Sequence, residues 1–153
     1  MLSDLYAGGI LEAAASIPAA RRLADAHGSS TKSSRVCGSE VVVDIKLENG
    51  AISDFGMEAR ACALGQAAAS IVAERIIGTR IDAVFELRRQ MRAMLENGGG
   101  PPDLAGWEAL AMLEPIKDYP QRHASTLLIF DALAGALEGL GYSGNEAGET
   151  SVG

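Results

Sequence analysis

Hydrophobic spacing along the chain changes period twice. Residues 2–15 and 18–27 space their apolar positions as helices do, and Gly28-Ser29-Ser30-Thr31 breaks the second of these stretches. From Glu40 to Leu47 the period drops to two. Val41, Val43, Ile45 and Leu47 alternate with Glu40, Val42, Asp44 and Lys46, which predicts a half-buried strand. Residues 51–61 predict a second, with Phe55, Met57, Ala59 and Ala61 on one face and Asp54, Glu58 and Arg60 on the other; residues 32–36 predict a poorly patterned third. By the same alternation Asp44, Glu48, Asp54 and Glu58 fall on a solvated sheet face. Glu48-Asn49-Gly50 reads as a hairpin loop. Odd-numbered positions must face odd-numbered ones across it, so a three-residue loop with Gly50 in the left-handed region is expected.

Beyond residue 61 the spacing is helical almost to the end. A helix over 63–77 is dense in small residues (Gly65, Ala67, Ala68, Ala69, Ser70), so another element can approach it closely, and Gly78 ends it. Thr79 and Asp82 have capping-box spacing for a helix to residue 96 with the stripe Val84, Leu87, Met91, Met94 and Leu95, read as core. Asn97 to Pro102 breaks it. Asp103 is placed to cap a short helix carrying Trp107, Leu110 and Leu113, and a last helix spans 121–140. Helices, then an antiparallel sheet, then helices make an α+β arrangement and not a doubly wound one. Residues 1–140 read as a single domain and 141–153 as a disordered tail.

Charge narrows the partners. A net charge of −7 with no basic run argues against nucleic acid and anionic membrane, both of which need a positive surface. No export signal and no membrane-length apolar run is visible, since Asp131 and Glu138 interrupt the greasiest segment; a cytoplasmic protein is expected. In that setting Cys37 and Cys62 are thiols or metal ligands before they are a disulfide.

Both cysteines stand at strand ends. Cys37 lies in Val36-Cys37-Gly38-Ser39 ahead of the first clear strand, and Cys62 opens the small-residue helix, where unpaired N–H groups and the dipole favour a thiolate. On their own the two cysteines read first as small buried hydrophobes, because their separation matches no zinc-finger or ribbon spacing. His123, at the start of the last helix, is a third candidate ligand, or else a capping or surface residue. His27, at a predicted helix end, is assigned no chemistry. Gly98-Gly99-Gly100 follows a helix instead of opening one and is no phosphate loop.

Taken together, Cys37-Gly38, the hairpin ending in Ile52-Ser53-Asp54-Phe55, and Ala61-Cys62-Ala63-Leu64-Gly65-Gln66-Ala67-Ala68-Ala69-Ser70 resemble the core of the U-type iron–sulfur cluster assembly scaffold family, the IscU, NifU and SufU proteins. The resemblance covers most of the chain. It implies a three-stranded antiparallel sheet with helices packed on one face, as in SufE- and NifU-like folds. It also implies a scaffold or carrier, not an enzyme, that holds iron or a nascent iron–sulfur cluster and works with a cysteine desulfurase and other assembly proteins. Carried over by position, Cys37 and Cys62 are metal or cluster ligands, or acceptors of sulfur, and His123 is a further metal ligand. Two positions depart from the family pattern: Ser39 stands where the family has aspartate and Ala124 where it has its third ligand cysteine. The implied alternatives are a zinc-supported sulfur acceptor serving the desulfurase and an interaction protein of the same pathway with a degenerate site. A homo-oligomer, in which a second chain completes the ligand set, stays open.

Overall fold

The computed structural model describes residues 9–35 and 38–144. Along them run α1 (Ile10–Ala15), β1 (Gly28–Ser33), β2 (Glu40–Glu48), β3 (Ala51–Arg60), α2 (Ala63–Arg75), α3 (Ile81–Glu96), a 3-10 helix (Glu108–Asp118), a short 3-10 turn (Pro120–Arg122) and α4 (His123–Glu138). Residues 2–8 of the expected first helix lie outside the described residues. The sheet is antiparallel in the order β1-β2-β3, the expected α+β architecture.

Period-two burial decides which face the helices take. Val41, Val43 and Ile45 lie opposite Ala59, Met57 and Phe55 on β3, and Val43 and Val41 lie opposite Ser30 and Lys32 on β1. This face packs against α4, and Val43 and Ile45 are wholly buried. The small-residue helix α2 is buried on nearly every side, against α1, α4 and the 3-10 helix, as expected of a helix with no polar face. Among the described residues no helix is long and apolar enough to cross a membrane.

The hairpin corrects one expectation. Its loop has two residues, Asn49 and Gly50, at φ 55° and 79°, the paired left-handed geometry that suits the strand twist. Parity survives through a bulge: Leu47 lies opposite Ile52 but Lys46 lies opposite Asp54, so Ser53 is left without a partner position on β2. Gly50 has the expected positive φ, and the odd loop residue has moved into the strand.

The other face of the sheet is not solvated at its centre, and residues 18–27 are not a helix. The segment runs along the free edge of β3, where the Arg21 N–H donates to the Met57 carbonyl at 3.0 Å, and then crosses the outer face to the start of β1. Gly56 permits the crossing, since a Cβ there would stand 2.8 Å from the Arg21 carbonyl oxygen. Asp44 anchors it. Only 1% exposed, its carboxylate accepts from Arg22 Nε (2.6 Å) and Nη2 (3.0 Å), the Leu23 N–H (2.9 Å) and Ser29 Oγ (2.6 Å). These partners, Arg22 foremost, hold its pKa down at about 2 against the cost of burial. His27 ends no helix; its Nδ1 accepts from the Leu47 N–H at 3.0 Å.

Several helix ends differ from their sequence signals. Thr79 donates back to the Arg75 carbonyl and does not cap α3. The segment carrying Leu110 and Leu113 forms a 3-10 helix with Pro115 inside it, and Asp103 gives it no cap. β1 begins at Gly28, four residues before the expected strand, in the stretch read as a helix break. Past α4, the Tyr142 N–H donates to the Leu137 carbonyl and Gly144 lies against Phe85; residues 145–153 lie outside the described residues.

Candidate functional site

The last residues of β3 deliver the chain to Cys62, which holds the N-cap position of α2 in extended backbone and accepts the first helical hydrogen bond from the Gln66 N–H. The start of α4 comes up beside it. Gly65 sets that approach: a Cβ there would stand 3.0 Å from the Ser125 carbonyl oxygen and 2.8 Å from the Ala61 Cβ. With only hydrogen at this position, Cys62 Sγ and Ser125 Oγ come within 3.4 Å. Cys62 is half-buried, forms no disulfide and is the one cysteine among the described residues.

The hydroxyls at this junction can follow the charge on sulfur. Ser125 Oγ donates to the Arg122 carbonyl at 3.3 Å, and Thr126 Oγ1 donates to the same oxygen at 2.9 Å. While Cys62 is a thiol it can donate to Ser125. Once it is a thiolate it can only accept, and Ser125 is able to turn its proton to sulfur because Thr126 keeps the Arg122 carbonyl satisfied. Ser125 was not singled out from the sequence; its place directly after His123 and Ala124 is the signal that marks it.

His123 is the first residue of α4. Its Nε2 lies 3.0 Å from the Ile116 carbonyl oxygen and 3.1 Å from that of Lys117. Carbonyls accept only, so Nε2 carries the proton, and the neutral ring holds its lone pair on Nδ1, the nitrogen free to bind a metal. Ala124 is exposed on the same first turn. Cys37 lies outside the described residues. On either side of it, the Ser34 N–H donates to the Ser39 carbonyl and the Gly38 N–H to the Ser34 carbonyl, both at 2.9 Å. Ser39 is buried at 3% exposure.

Among the described residues no three His, Cys, Asp or Glu side chains gather to hold a metal. Of the candidate ligands, Cys62 opens α2 and His123 opens α4; thiolate and imidazole are donor types suited to zinc or to iron and its sulfides and poorly suited to magnesium or calcium. Two buried side-chain atoms among the described residues have no hydrogen-bond partner, Ser34 Oγ and Arg122 Nε. In sequence they stand three residues before Cys37 and one before His123.

Comparison with known proteins converges on one family. The iron-sulfur cluster assembly scaffold protein IscU of Thermotoga maritima is 31% identical over 134 residues, covering 88% of this chain and 93% of that one. The crystal structure of a nitrogen-fixing NifU-like protein (N-terminal) from Brucella abortus matches at 39% identity and a TM-score of 0.85, over 90% of this chain and 94% of that one. FiSufU from Fervidobacterium islandicum AW-1 shares the fold, with a TM-score of 0.79 at 24% identity over 88% of this chain and 97% of that one. The profile of the NifU-like N terminal domain matches residues 9–126, and the chain belongs to that family.

Proposed function

We propose that this protein is a scaffold or carrier in iron–sulfur cluster assembly, holding iron or a nascent cluster as cargo through Cys37, Cys62 and Nδ1 of His123. The observation that carries the reading is the meeting of two helix starts: Cys62 at the N-cap of α2 lies 3.4 Å from Ser125 Oγ, two residues after His123 on α4. A helix N-terminus favours an anionic sulfur, and the Ser125 hydroxyl is positioned to donate to it. The family and the IscU relative support the same assignment.

Cargo suits this donor set better than a resident metal does. Two thiolates and one imidazole leave a tetrahedral ion one ligand short, so a bound metal keeps an exchangeable position. A site that must release what it holds gains from that weakness. Sulfur would come from a cysteine desulfurase, with other assembly proteins as the remaining partners, and a second copy of the chain is one way to fill the open position.

Anaerobic purification followed by metal analysis and a visible spectrum tests the proposal. Iron with sulfide-to-iron absorption, lost in Cys62→Ala, is the expected result. Stoichiometric zinc without iron would replace it with a sulfur acceptor serving the desulfurase. Neither metal, before or after reconstitution, would leave an interaction protein of the pathway.

A further inference from the structure

Ser34 immediately follows β1, with its side chain only 6% exposed and its hydroxyl without a hydrogen-bond partner among the described residues. A buried hydroxyl left unpaired destabilises the fold that carries it, so such a group calls for a partner. Strand geometry shows where this one points. Ser34 continues the β1–β2 register opposite Ser39, on the face that Ser30 and Lys32 turn toward α4. Gly28 lies against Ala136 and Leu140 of the α4 end, while Ser30 and Lys32 lie against Gly135. The strand therefore runs antiparallel to the helix. From Ser30 to Ser34 it advances about 13 Å, which matches roughly nine residues of helix and brings Ser34 level with the opening turns of α4. Those turns carry His123, Ala124 and Ser125.

We propose that Ser34 is a further residue of the cargo site, its hydroxyl donating a hydrogen bond to an anionic sulfur held there. The acceptor is either a metal-bound cysteine thiolate or the inorganic sulfide of a bound cluster. This rests on the function proposed above. It accounts for a hydroxyl that is buried and has no hydrogen-bond partner among the described residues: the cargo supplies the acceptor. Ser125 meets Cys62 from the α4 side, and Ser34 comes level with the start of α4 from the sheet side, so a hydroxyl stands on each of the two layers.

The test uses the full chain as wild type, Ser34→Ala, Ser34→Thr and Cys62→Ala, kept anaerobic. One arm loads Co(II), whose sulfur-to-cobalt charge-transfer band reports on the thiolates; the other is reconstituted with ferrous iron and sulfide. Expected for Ser34→Ala is cargo retention weakened about tenfold, the scale of one hydrogen bond to a charged group. Its charge-transfer band should move to lower energy because the sulfur has become a better donor. Ser34→Thr should restore both, and the unloaded Ser34→Ala protein should melt no lower than wild type, since it has lost no hydrogen bond. A change in both arms identifies the thiolate as acceptor, and a change in the iron–sulfide arm alone identifies sulfide. Unchanged retention and spectrum in both arms for Ser34→Ala, while Cys62→Ala loses its cargo, overturns the role of Ser34 and leaves the proposed function standing. Equal cargo in wild type and Cys62→Ala overturns both.

Discussion

Gly65 on α2 and Ser125 on α4 are packed so closely that a single methyl group on Gly65 would stand 3.0 Å from the Ser125 carbonyl oxygen. The contact is backbone to backbone, and it is what brings Cys62 to the start of α4. Intrinsic propensity argues the opposite way, since alanine in a helix interior is about 1 kcal/mol better than glycine. Gly65→Ala should nevertheless destabilise the protein, because neither Ala61 nor the α4 backbone can yield cheaply. A net loss of about 1–3 kcal/mol is expected, together with a Cys62 thiol that is alkylated faster once its neighbour has moved. Equal or higher denaturant stability with unchanged alkylation would show that the helix starts are looser than this packing implies.

The Arg22–Asp44 pair should set the acid limit of the fold. Asp44 is depressed to about 2 in the folded protein, from a usual value of 3.8, mainly through its hydrogen bonds to Arg22. A lowered folded pKa stabilises above the unfolded value and is lost as pH falls through the folded one, so the window lies between about pH 4 and pH 2. The contribution at neutral pH is roughly 2 kcal/mol. Asp44→Asn should lose about that much at pH 7 and converge with wild type toward pH 2, as followed by urea titration at several pH values. Parallel curves across that range would rule out Asp44 as the titrating group.

These two contacts also mark what the sequence can and cannot disclose. Alternation over 40–47 reveals which residues share a face, and Val41, Val43 and Ile45 do share the buried one. It says nothing of what covers the opposite face, which is why Asp44 reads as wet until Arg22, Leu23 and Ser29 are seen around it. Residues 18–27 carry helical spacing, but their backbone groups find partners on β2 and β3 that no local pattern shows. In the proposed site, Cys62 and His123 are legible by residue type and by their places at element starts. Ser125 and Ser34 are not, because a serine acquires meaning only from burial and from what its hydroxyl can reach.

The hairpin gives a direct test of backbone conformation. Asn49 and Gly50 both have positive φ, at 55° and 79°, and a Cβ at Gly50 would stand 3.5 Å from the Arg80 guanidinium, an ordinary contact distance, so strain and not crowding decides the cost. Gly50→Val should cost about 1 kcal/mol or more, the scale of forcing a branched side chain into the left-handed region. Gly78→Val, at φ 89°, should cost a similar amount. Thermal melts that leave the Gly50 variant at the wild-type midpoint would show that the turn relaxes to another type.

The missing ligands give the last prediction, and burial separates their effects. Ala124 is exposed on the first turn of α4, so Ala124→Cys should leave the metal-free protein near wild-type stability while adding the absent thiolate. Ser39 is only 3% exposed, on the face of the sheet that packs against α4. Ser39→Asp therefore introduces a carboxylate away from water, and without metal it should lower stability by a few kcal/mol. Zinc should reverse that loss if the carboxylate faces the site, because the ion supplies the missing countercharge. The double variant Ser39→Asp with Ala124→Cys should then retain zinc or cluster more than about tenfold better than wild type, since even an outer-shell ligand contact is worth that much. It should also show the largest rise in melting temperature on zinc addition. Adding Cys62→Ala to the double variant should remove both gains. Unchanged zinc content in a folded double variant would show that positions 39 and 124 do not face Cys62, and the ligand assignment would fall with that result.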